Sequence, residues 1–325
     1  MPLRPCFRGL PVVLMSLLLL AVGCSGAAQP RPEPTPDRES ATMAASLGDP
    51  RTVDPCSLID PASLTEFGEA RNAGTVSLDY CLFRMRMADG ALAQLKVGEL
   101  AREVPGQADP VVGEGPLRIA QEAPLPGHCT RRVLFGDGNS LLVSADQLDG
   151  SPGAALCGMA EAGARDVVAA IGRQQVAHRP YPANSLALSD PCRVLGTEVV
   201  RQVPGLEQAE PVASPAGHQC QWGAADAASP RVRLVHTAGA PPAVLHGSAV
   251  QERIAGRRTV TSVVGGDPST PLCSAETGHI PFGEPGGGQV EVAMLVVAYP
   301  DGTGLDACEF ARGLAERAWQ ELPRS

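Results

Sequence analysis

Apolar residues follow two different periods along this chain of 325 residues. Over 80–87 the odd positions are apolar and both arginines fall on even ones. Alternation with period two predicts a half-buried strand, with Cys81 and Phe83 on its core-facing side. The same spacing recurs at Cys220 and Trp222. Two strands of matching design are therefore predicted far apart in the chain.

Other short apolar runs, bounded by glycine, proline and polar residues, predict the remaining strands. The Gly-Asp-Gly-Asn stretch from Gly136 to Asn139 is typical of a hairpin turn. The additional strands are predicted at 91–97, 116–120, 129–135, 141–145, 232–236, 249–254, 258–264 and 290–299.

Apolar residues spaced by three or four predict two longer helices, which begin near Cys157 and Cys308. A shorter helix is predicted at Asp60-Pro61, with aspartate as the N-cap and Gly68 closing it. Its counterpart is predicted at 197–203. Runs of strands with helices at their ends indicate an α+β fold, with a mainly antiparallel sheet in each half of the chain.

Eight of the ten cysteines follow residue 24, and they form two sets of four with similar gaps. Asp54-Pro55-Cys56 in the first set is echoed by Asp190-Pro191-Cys192 in the second. This repetition predicts two tandem modules, 53–173 and 190–325, joined by a linker at 174–189.

An even number of cysteines in an exported chain indicates disulfides. A zinc site is the alternative, but the chain has no Cys-x-x-Cys pair, which is the spacing that zinc sites usually have. Four cysteines allow three pairings, and the sequence does not separate them. We favour sequential pairing, in which each bond joins a terminal helix to a strand and contributes about 3–4 kcal/mol. The eight predicted disulfide cysteines are Cys56, Cys81, Cys129, Cys157, Cys192, Cys220, Cys273 and Cys308.

The first residues have the composition of an export signal. Arg4 and Arg8 precede an apolar run at 10–22, which is too short to span a bilayer comfortably. An ordinary secretory signal cut after small residues is one interpretation. However, Ala21-Val22-Gly23-Cys24 resembles the bacterial lipobox, which implies removal of 1–23 and palmitate-type acylation of Cys24. Alternating prolines then predict an extended tether at 24–52.

The Asp-Pro-Cys openings and the Cys-x-aromatic strands resemble a domain of unknown function found in actinobacterial cell-envelope lipoproteins. The resemblance covers most of 54–322 as two copies, whereas most relatives carry one. Phe83 stands where tryptophan is usual. The resemblance implies an envelope location and a domain with two disulfides, and it supplies no catalytic residues. The extracellular sensor domains of some actinobacterial receptor kinases have a similar cysteine layout, which makes ligand sensing an expectation by analogy.

Charge and composition exclude other classes of function. Lys and Arg number 26 against 35 Asp and Glu, which gives a net charge of −9 and no basic footprint for nucleic acid. Aromatic residues make up 3% of the chain, too few for stacking platforms. The sequence lacks the common hydrolase, metalloprotease and phosphate-loop motifs. Gly286 to Gly288 is predicted to be a turn.

Candidate chemical groups are few. His236 and His246 with Glu252 are considered as a metal or acid–base site, but hydrogen-bonded histidines are the favoured interpretation. Asp54 and Asp190 are expected to be caps. The arginine pairs 131–132 and 257–258 are expected on solvated strand faces, with a small anion site as the alternative.

These observations predict an exported, membrane-anchored lipoprotein on the outer face of the cell membrane that binds or senses without catalysis. No catalytic residue, metal or cofactor is expected. The expected partners are the membrane, through the lipid on Cys24, and an envelope ligand or protein. The alternatives are an accessory or structural subunit of a membrane complex and an envelope hydrolase. The binding hypothesis predicts an apolar or charged groove within or between the modules.

Overall fold

The structure is a computed structural model. It describes residues 41–75, 77–103, 111–112, 116–150, 155–224, 226, 229–245, 247–264, 271–300 and 304–325. The predicted signal at 1–23, Cys24, the first part of the predicted tether and His246 lie outside these described residues.

The first half of the chain builds an antiparallel sheet of seven strands, ordered β1-β2-β3-β7-β6-β5-β4. The helix α2 (Ala155–Gly172) packs across one face of this sheet. The strands are β1 (Gly68–Thr75), β2 (Cys81–Met87), β3 (Leu92–Arg102), β4 (Val111–Val112), β5 (Arg118–Gln121), β6 (His128–Leu134) and β7 (Asn139–Asp149).

The second half, from Pro191 onward, builds a second antiparallel sheet of seven strands. It opens with the short helices α3 (Pro191–Val194) and α4 (Thr197–Val200) and closes with α5 (Ala307–Glu321), which covers one face of the sheet. The strands are β8 (Val212–Ala213), β9 (Gln219–Gly223), β10 (Arg231–Gly239), β11 (Val250–Ile254), β12 (Arg257–Val264), β13 (Leu272–Phe282) and β14 (Gln289–Ala298).

The strand order is the same in both sheets. Read from its other edge, the second sheet runs β8-β9-β10-β14-β13-β12-β11. Numbered from one to seven within each half, both sheets are 1-2-3-7-6-5-4. Antiparallel sheets, each with a helix across one face, are the α+β architecture expected from the sequence.

Four disulfides join the elements that open and close each half to the strands beneath them. They are Cys56–Cys81, Cys129–Cys157, Cys192–Cys220 and Cys273–Cys308, which is the sequential pairing favoured above. Each bond links a strand to a helix or 3-10 turn.

An aspartate two residues before the cysteine caps three of these four helical segments. Asp54, Asp190 and Asp306 accept hydrogen bonds from the backbone N–H groups of Cys56, Cys192 and Cys308, at 3.1, 2.9 and 2.8 Å. Asp54 and Asp190 are therefore caps, as expected from their position.

The core faces of the cysteine strands follow the alternating pattern. Cys81, Phe83, Cys220 and Trp222 are all fully buried. The indole Nε1 of Trp222 donates to Thr197 Oγ1 at 3.1 Å, which satisfies its only polar group.

Four strands were not predicted, namely β1, β13 and the two-residue strands β4 and β8, and a glycine was placed wrongly. The sequence of β1 has no apolar alternation because this edge strand is largely exposed, and β13 alternates small and polar residues with few large ones. Gly68 does not close a helix. The 3-10 turn Pro61–Leu64 ends before it, and Gly68 begins β1 at φ 145°, where a Cβ would collide with the backbone carbonyl of Arg86.

The end of the predicted tether and the linker are packed against the sheets. Residues 41–52 include α1 (Met43–Leu47), whose first and last residues are buried in the first core. In the linker, the backbone N–H of Arg179 donates to the Thr52 carbonyl, and a 3-10 turn spans Leu186–Leu188. Residues Glu39–Ser325 form one compact unit.

Three of the four paired arginines are not solvated, contrary to expectation. Arg131 is 8% exposed and its Nε donates to Glu161 at 2.8 Å. Arg132 bridges Glu122 and Glu103. Arg257 donates to backbone carbonyls at the end of α5, and Arg258 alone is exposed. Strand periodicity does not distinguish a solvated arginine from one with a buried partner.

Replacing Gly98 should strongly destabilise the fold. Gly98 lies in β3 at φ 121°, and a Cβ there would stand 2.5 Å from Pro55 Cβ and 2.6 Å from the Asp79 carbonyl. Gly98→Ala should lower the free energy of unfolding by about 3 kcal/mol, since strain and overpacking add. Gly90→Ala is the control, with φ 88° but no atom within 4 Å, and should cost about 1 kcal/mol. Equal losses in denaturant titrations would contradict this account.

Candidate functional site

A cleft of about 540 Å³ opens in the first half, between α1 and the C-terminal end of α2. Its volume is in the range of small-molecule binding sites. Most of its lining is apolar. The lining residues are Ala41, Ala45, Ser46, Leu47, Gly48, Pro116, Leu117, Val168, Ile171, Gly172, Gln174, Val176 and His178.

One wall of the cleft is α1, which is fixed at its first turn. Thr42 caps it, since its Oγ1 accepts from the Ala45 N–H at 3.2 Å. Asp137, in the turn between β6 and β7, accepts from the Met43 N–H at 3.0 Å. Met43 and Leu47 are buried, so one side of the helix faces the core. Ala45 stays exposed at the cleft.

The opposite wall is formed where the chain reverses after α2. Gln174 adopts φ 55°, in the left-handed region, and its N–H donates to the Ile171 carbonyl. The Gln175 N–H donates to the Ala170 carbonyl, so the helix ends in a tight C-terminal turn. The reversal returns Val176 and His178 along the cleft.

The polar side chains of the cleft are few. Among its described lining residues there is no Asp, Glu, Lys or Arg. His178 Nδ1 lies 2.8 Å from Thr52 Oγ1. The Oγ of Ser46 is buried and has no hydrogen-bond partner within the described part of the chain. Such an orphaned hydroxyl is costly unless something pairs with it.

A second concentration of polar groups lies between the two halves. We call it the inter-half seam and define it as Asp79, Ser185, His218, His236 and Glu291. Glu291 is 1% exposed and accepts from Ser185 Oγ at 2.5 Å and from the Leu186 N–H at 2.7 Å. This buried carboxylate therefore holds the linker's 3-10 turn on the second sheet.

His218 connects the halves directly. Its Nδ1 lies 2.7 Å from the Asp79 carboxylate and its Nε2 lies 3.2 Å from the Ala187 carbonyl. Both neighbours are oxygen atoms that can accept a hydrogen bond from the ring. The ring is 1% exposed, so this contact between the first half and the second is buried.

His236 is neutral and structural. Its Nδ1 lies 3.1 and 3.2 Å from the carbonyls of Leu186 and Ser189, which makes Nδ1 the protonated nitrogen. Burial lowers the pKa of His236 to about 4. The neighbouring His218 lowers this pKa further.

A buried phenol, Tyr181, lies in a small apolar cluster made of residues from both halves and the linker. Burial raises the pKa of Tyr181 to about 12, and its hydroxyl has no partner among the described residues. Phe282, Leu78 and the aliphatic residues Ala187 and Ala238 pack around it.

The metal site considered from the sequence does not assemble. His236 lies on β10 and Glu252 on β11, and three strands separate them in the sheet, a span of about 19 Å. Glu252 instead accepts from Thr261 and Arg312. His246 lies outside the described residues. Over the described ranges, no three His, Cys, Asp or Glu residues are grouped to hold a metal ion.

Residues 172–321 match a protein family described as "Protein of unknown function (DUF3558)". The chain therefore contains a DUF3558 domain that comprises the linker and most of the second half. Two of the four disulfides lie within it, Cys192–Cys220 and Cys273–Cys308. A domain of unknown function and two disulfides within it were both expected from the sequence resemblance, and both are present. No curated protein and no solved structure matches the chain.

In the described part of the chain, no helix is long and apolar enough to cross a bilayer.

Sequence reasoning missed the cleft because it assigned 41–52 to a tether. Two signals were available. Thr42 is a good N-cap, and Met43 and Leu47 are apolar residues four apart, which is the spacing of one helix face. Gln174 and His178 carried no comparable signal, because their place depends on how α2 ends.

Glu291→Ala should weaken the whole compact unit. The variant leaves the Ser185 hydroxyl and the Leu186 N–H buried without their acceptor, which should cost about 3 kcal/mol in the free energy of unfolding. Glu284→Ala, at an exposed glutamate of the preceding turn, should change it by less than about 0.5 kcal/mol. Similar losses for both variants in urea titrations would show that the buried carboxylate has no special role.

His236 should make the protein less stable in acid. The unfolded histidine, with a pKa near 6.5, binds a proton before the folded one does. The contribution of neutral His236 to the free energy of unfolding is therefore complete above pH 6.5. It is lost as pH falls toward 4, at up to about 1.4 kcal/mol per pH unit. His236→Asn keeps a donor toward the two carbonyls and does not titrate. The slope of stability against pH between 6.5 and 4 should be smaller in this variant, and an unchanged slope would refute the assignment.

Proposed function

We propose that this protein is an exported, lipid-anchored binding protein on the outer face of the cell membrane, acting without catalysis. The cleft between α1 and α2 is the observation that carries the proposal. It combines ligand-sized volume, a mostly apolar lining and a few polar groups, which is the usual composition of a binding pocket.

The anchored location is supported by the residues that precede the fold. Acylation of Cys24 after removal of 1–23 would attach the chain to the membrane, and stable anchoring needs two or more acyl chains. The four disulfides suit an oxidising compartment. Ala41 lines the cleft, so the binding site would begin where a tether at 24–40 ends.

We also propose that the halves, 53–173 and 190–325, are tandem copies of one module joined by the linker 174–189. The common strand order and the matching helix-to-strand disulfides support this. A further similarity is the acidic residue at the last hairpin of each half. Asp137 accepts from the N–H of Met43, and Glu291 from that of Leu186, so each holds the segment before an Asp-Pro-Cys opening.

Blocking the cleft should remove the ligand. Ala45→Trp places a large ring in the cleft from an exposed helix position, and Ala44→Trp, on the same helix but outside the lining, is the matched control. The full chain, purified from its native membrane, should carry a non-covalent adduct in native mass spectrometry. The adduct should be retained in Ala44→Trp and lost in Ala45→Trp. Equal adducts in both variants would overturn the proposed site.

Acylation of Cys24 is tested on the mature protein. Intact-mass analysis should show a chain that begins at Cys24 with two or three acyl groups, and Cys24→Ala should abolish the added mass and the membrane fraction. A mature chain that begins at another residue, without acyl mass, would contradict the anchoring.

A further inference from the structure

We infer that the loop at 240–245 enters the surface of the lipid bilayer and that Arg253 and Arg258 beside it bind anionic phosphate groups of the same bilayer. We call 240–245 the apolar loop, and Arg253 with Arg258 the opposed arginines. The inference rests on the anchored location proposed above. It gives the second half a membrane contact that the lipid on Cys24 does not supply.

The apolar loop follows β10 and presents large side chains to solvent. Leu245 is 81% exposed, the largest fraction for any large apolar side chain in the described residues, and Val244 is 51% exposed. From 237 to 250 the sequence has no Asp, Glu, Lys or Arg. Charged residues make up 19% of the chain, so fourteen residues would ordinarily include two or three. Without charges to dehydrate, such a segment enters a membrane interface at little cost.

Two prolines hold the base of the apolar loop on the sheet. Pro241 and Pro242 restrict the backbone, so less freedom is lost when the loop is ordered at a surface. Pro242 packs on β13, since a Cβ at Gly278 would stand 3.6 Å from its Cδ. The base is therefore fixed, while Val244 and Leu245 beyond it remain exposed.

The opposed arginines present an unbalanced positive charge. Arg253 on β11 lies directly opposite Arg258 on β12, and both are exposed. Arg253 donates to the Gly256 carbonyl at 3.0 Å and Arg258 Nε to Gln251 at 2.8 Å, so neither has a carboxylate partner in the described residues. Like charges in directly opposite positions destabilise a sheet. An anion between them relieves the repulsion, and phosphate accepts guanidinium groups in bidentate geometry.

A cavity of about 350 Å³ joins the arginines to the apolar loop. Pro241 and Pro242 line it together with Arg257 and Arg258. Arg257 already donates to backbone carbonyls at the end of α5, which leaves Arg258 to meet an anion. Ser325 also lines the cavity, and a carboxylate there would offset one of the three arginine charges and leave two. An apolar segment beside basic side chains is the composition of membrane-surface contacts.

The bilayer is a partner that the anchored chain always has within reach. With Cys24 acylated, the seventeen residues 24–40 can span at most about 60 Å. A compact unit as long as 39–325 is about 50 Å across, so any of its faces can reach the membrane. The net charge of −9 repels an anionic surface from most of the protein. The side with the opposed arginines is therefore the one that approaches.

Bromine quenching of an added indole tests entry of the loop. The full acylated chain is placed in vesicles of phosphatidylcholine and phosphatidylglycerol, two to one, with or without bromine on the upper acyl carbons. Leu245→Trp adds an indole at the exposed end of the loop, and the native Trp222 and Trp319 are buried and give a constant background. Bromine should remove at least half of the added emission. Leu125→Trp, at a position that is 64% exposed before β6, is the matched control and should lose less than a tenth.

Arg258→Gln in the Leu245→Trp chain tests the phosphate contact. It should lower the ratio of inserted to free loop about fivefold in the anionic vesicles, the effect of one basic side chain at such a surface. Arg84→Gln, at an exposed arginine of β2, should leave the ratio unchanged. In vesicles of phosphatidylcholine alone, the effect of Arg258→Gln should disappear. Inorganic phosphate at millimolar concentration should not reduce quenching, and a loss of quenching would assign the arginines to free phosphate instead.

Equal quenching at 245 and 125, or none at 245 in an acylated chain, would overturn the inference. An indole at 245 that is shielded from aqueous iodide but not quenched by bromine would identify a protein partner or a second copy, which also overturns it. In these cases the anchored location stands. If intact mass shows no acyl groups, the anchored location fails and this inference fails with it.

Discussion

The joining of a helix to the strand beneath it by a disulfide is the constraint on which this structure depends. Each half has one long helix that must stay on one face of a seven-stranded sheet. Both helices also pack against their sheets, with Met159 of α2 and Trp319 of α5 buried in the two cores. The covalent bond removes much of the freedom of the unfolded chain, in the entropic description of disulfides. The aspartate caps then fix how the first turn meets the strand at three of the four bonds.

With the helices fixed, the segments between the sheets determine where chemistry can occur. The inter-half seam uses its polar side chains on each other: Glu291 holds the linker and His218 faces Asp79. The cleft, by contrast, is an open and mostly apolar space of about 540 Å³, with no Asp, Glu, Lys or Arg among its described lining residues. Open volume of this kind is what a small-molecule ligand needs. This difference is why the cleft, and not the seam rich in titratable groups, carries the proposed function.

Local patterns predicted most of the secondary structure, since period-two alternation and helix caps act over a few residues. The pairing of the cysteines was favoured but not determined by the sequence, because it depends on which elements pack together. Local patterns failed where formation depends on a partner. Strand β1 exists because β2 offers it hydrogen bonds, and Arg131 is buried because Glu161 is opposite it. The cleft was out of reach for the same reason, since two walls distant in sequence define it. The histidine and acid proposed for a metal both exist, but the sheet order separates them.

Ala216 illustrates how far the halves depend on each other. It lies between β8 and β9 of the second half, yet it is 4% exposed and belongs to the core of the first. The first core is therefore completed by a residue that lies inside the DUF3558 match at 172–321. The limits of sequence similarity and the limits of cooperative folding differ in this chain. A fragment cut at 172–321 would take Ala216 away from the first core and expose apolar surface there. Evolution of either half is therefore restricted by the side chains of the other.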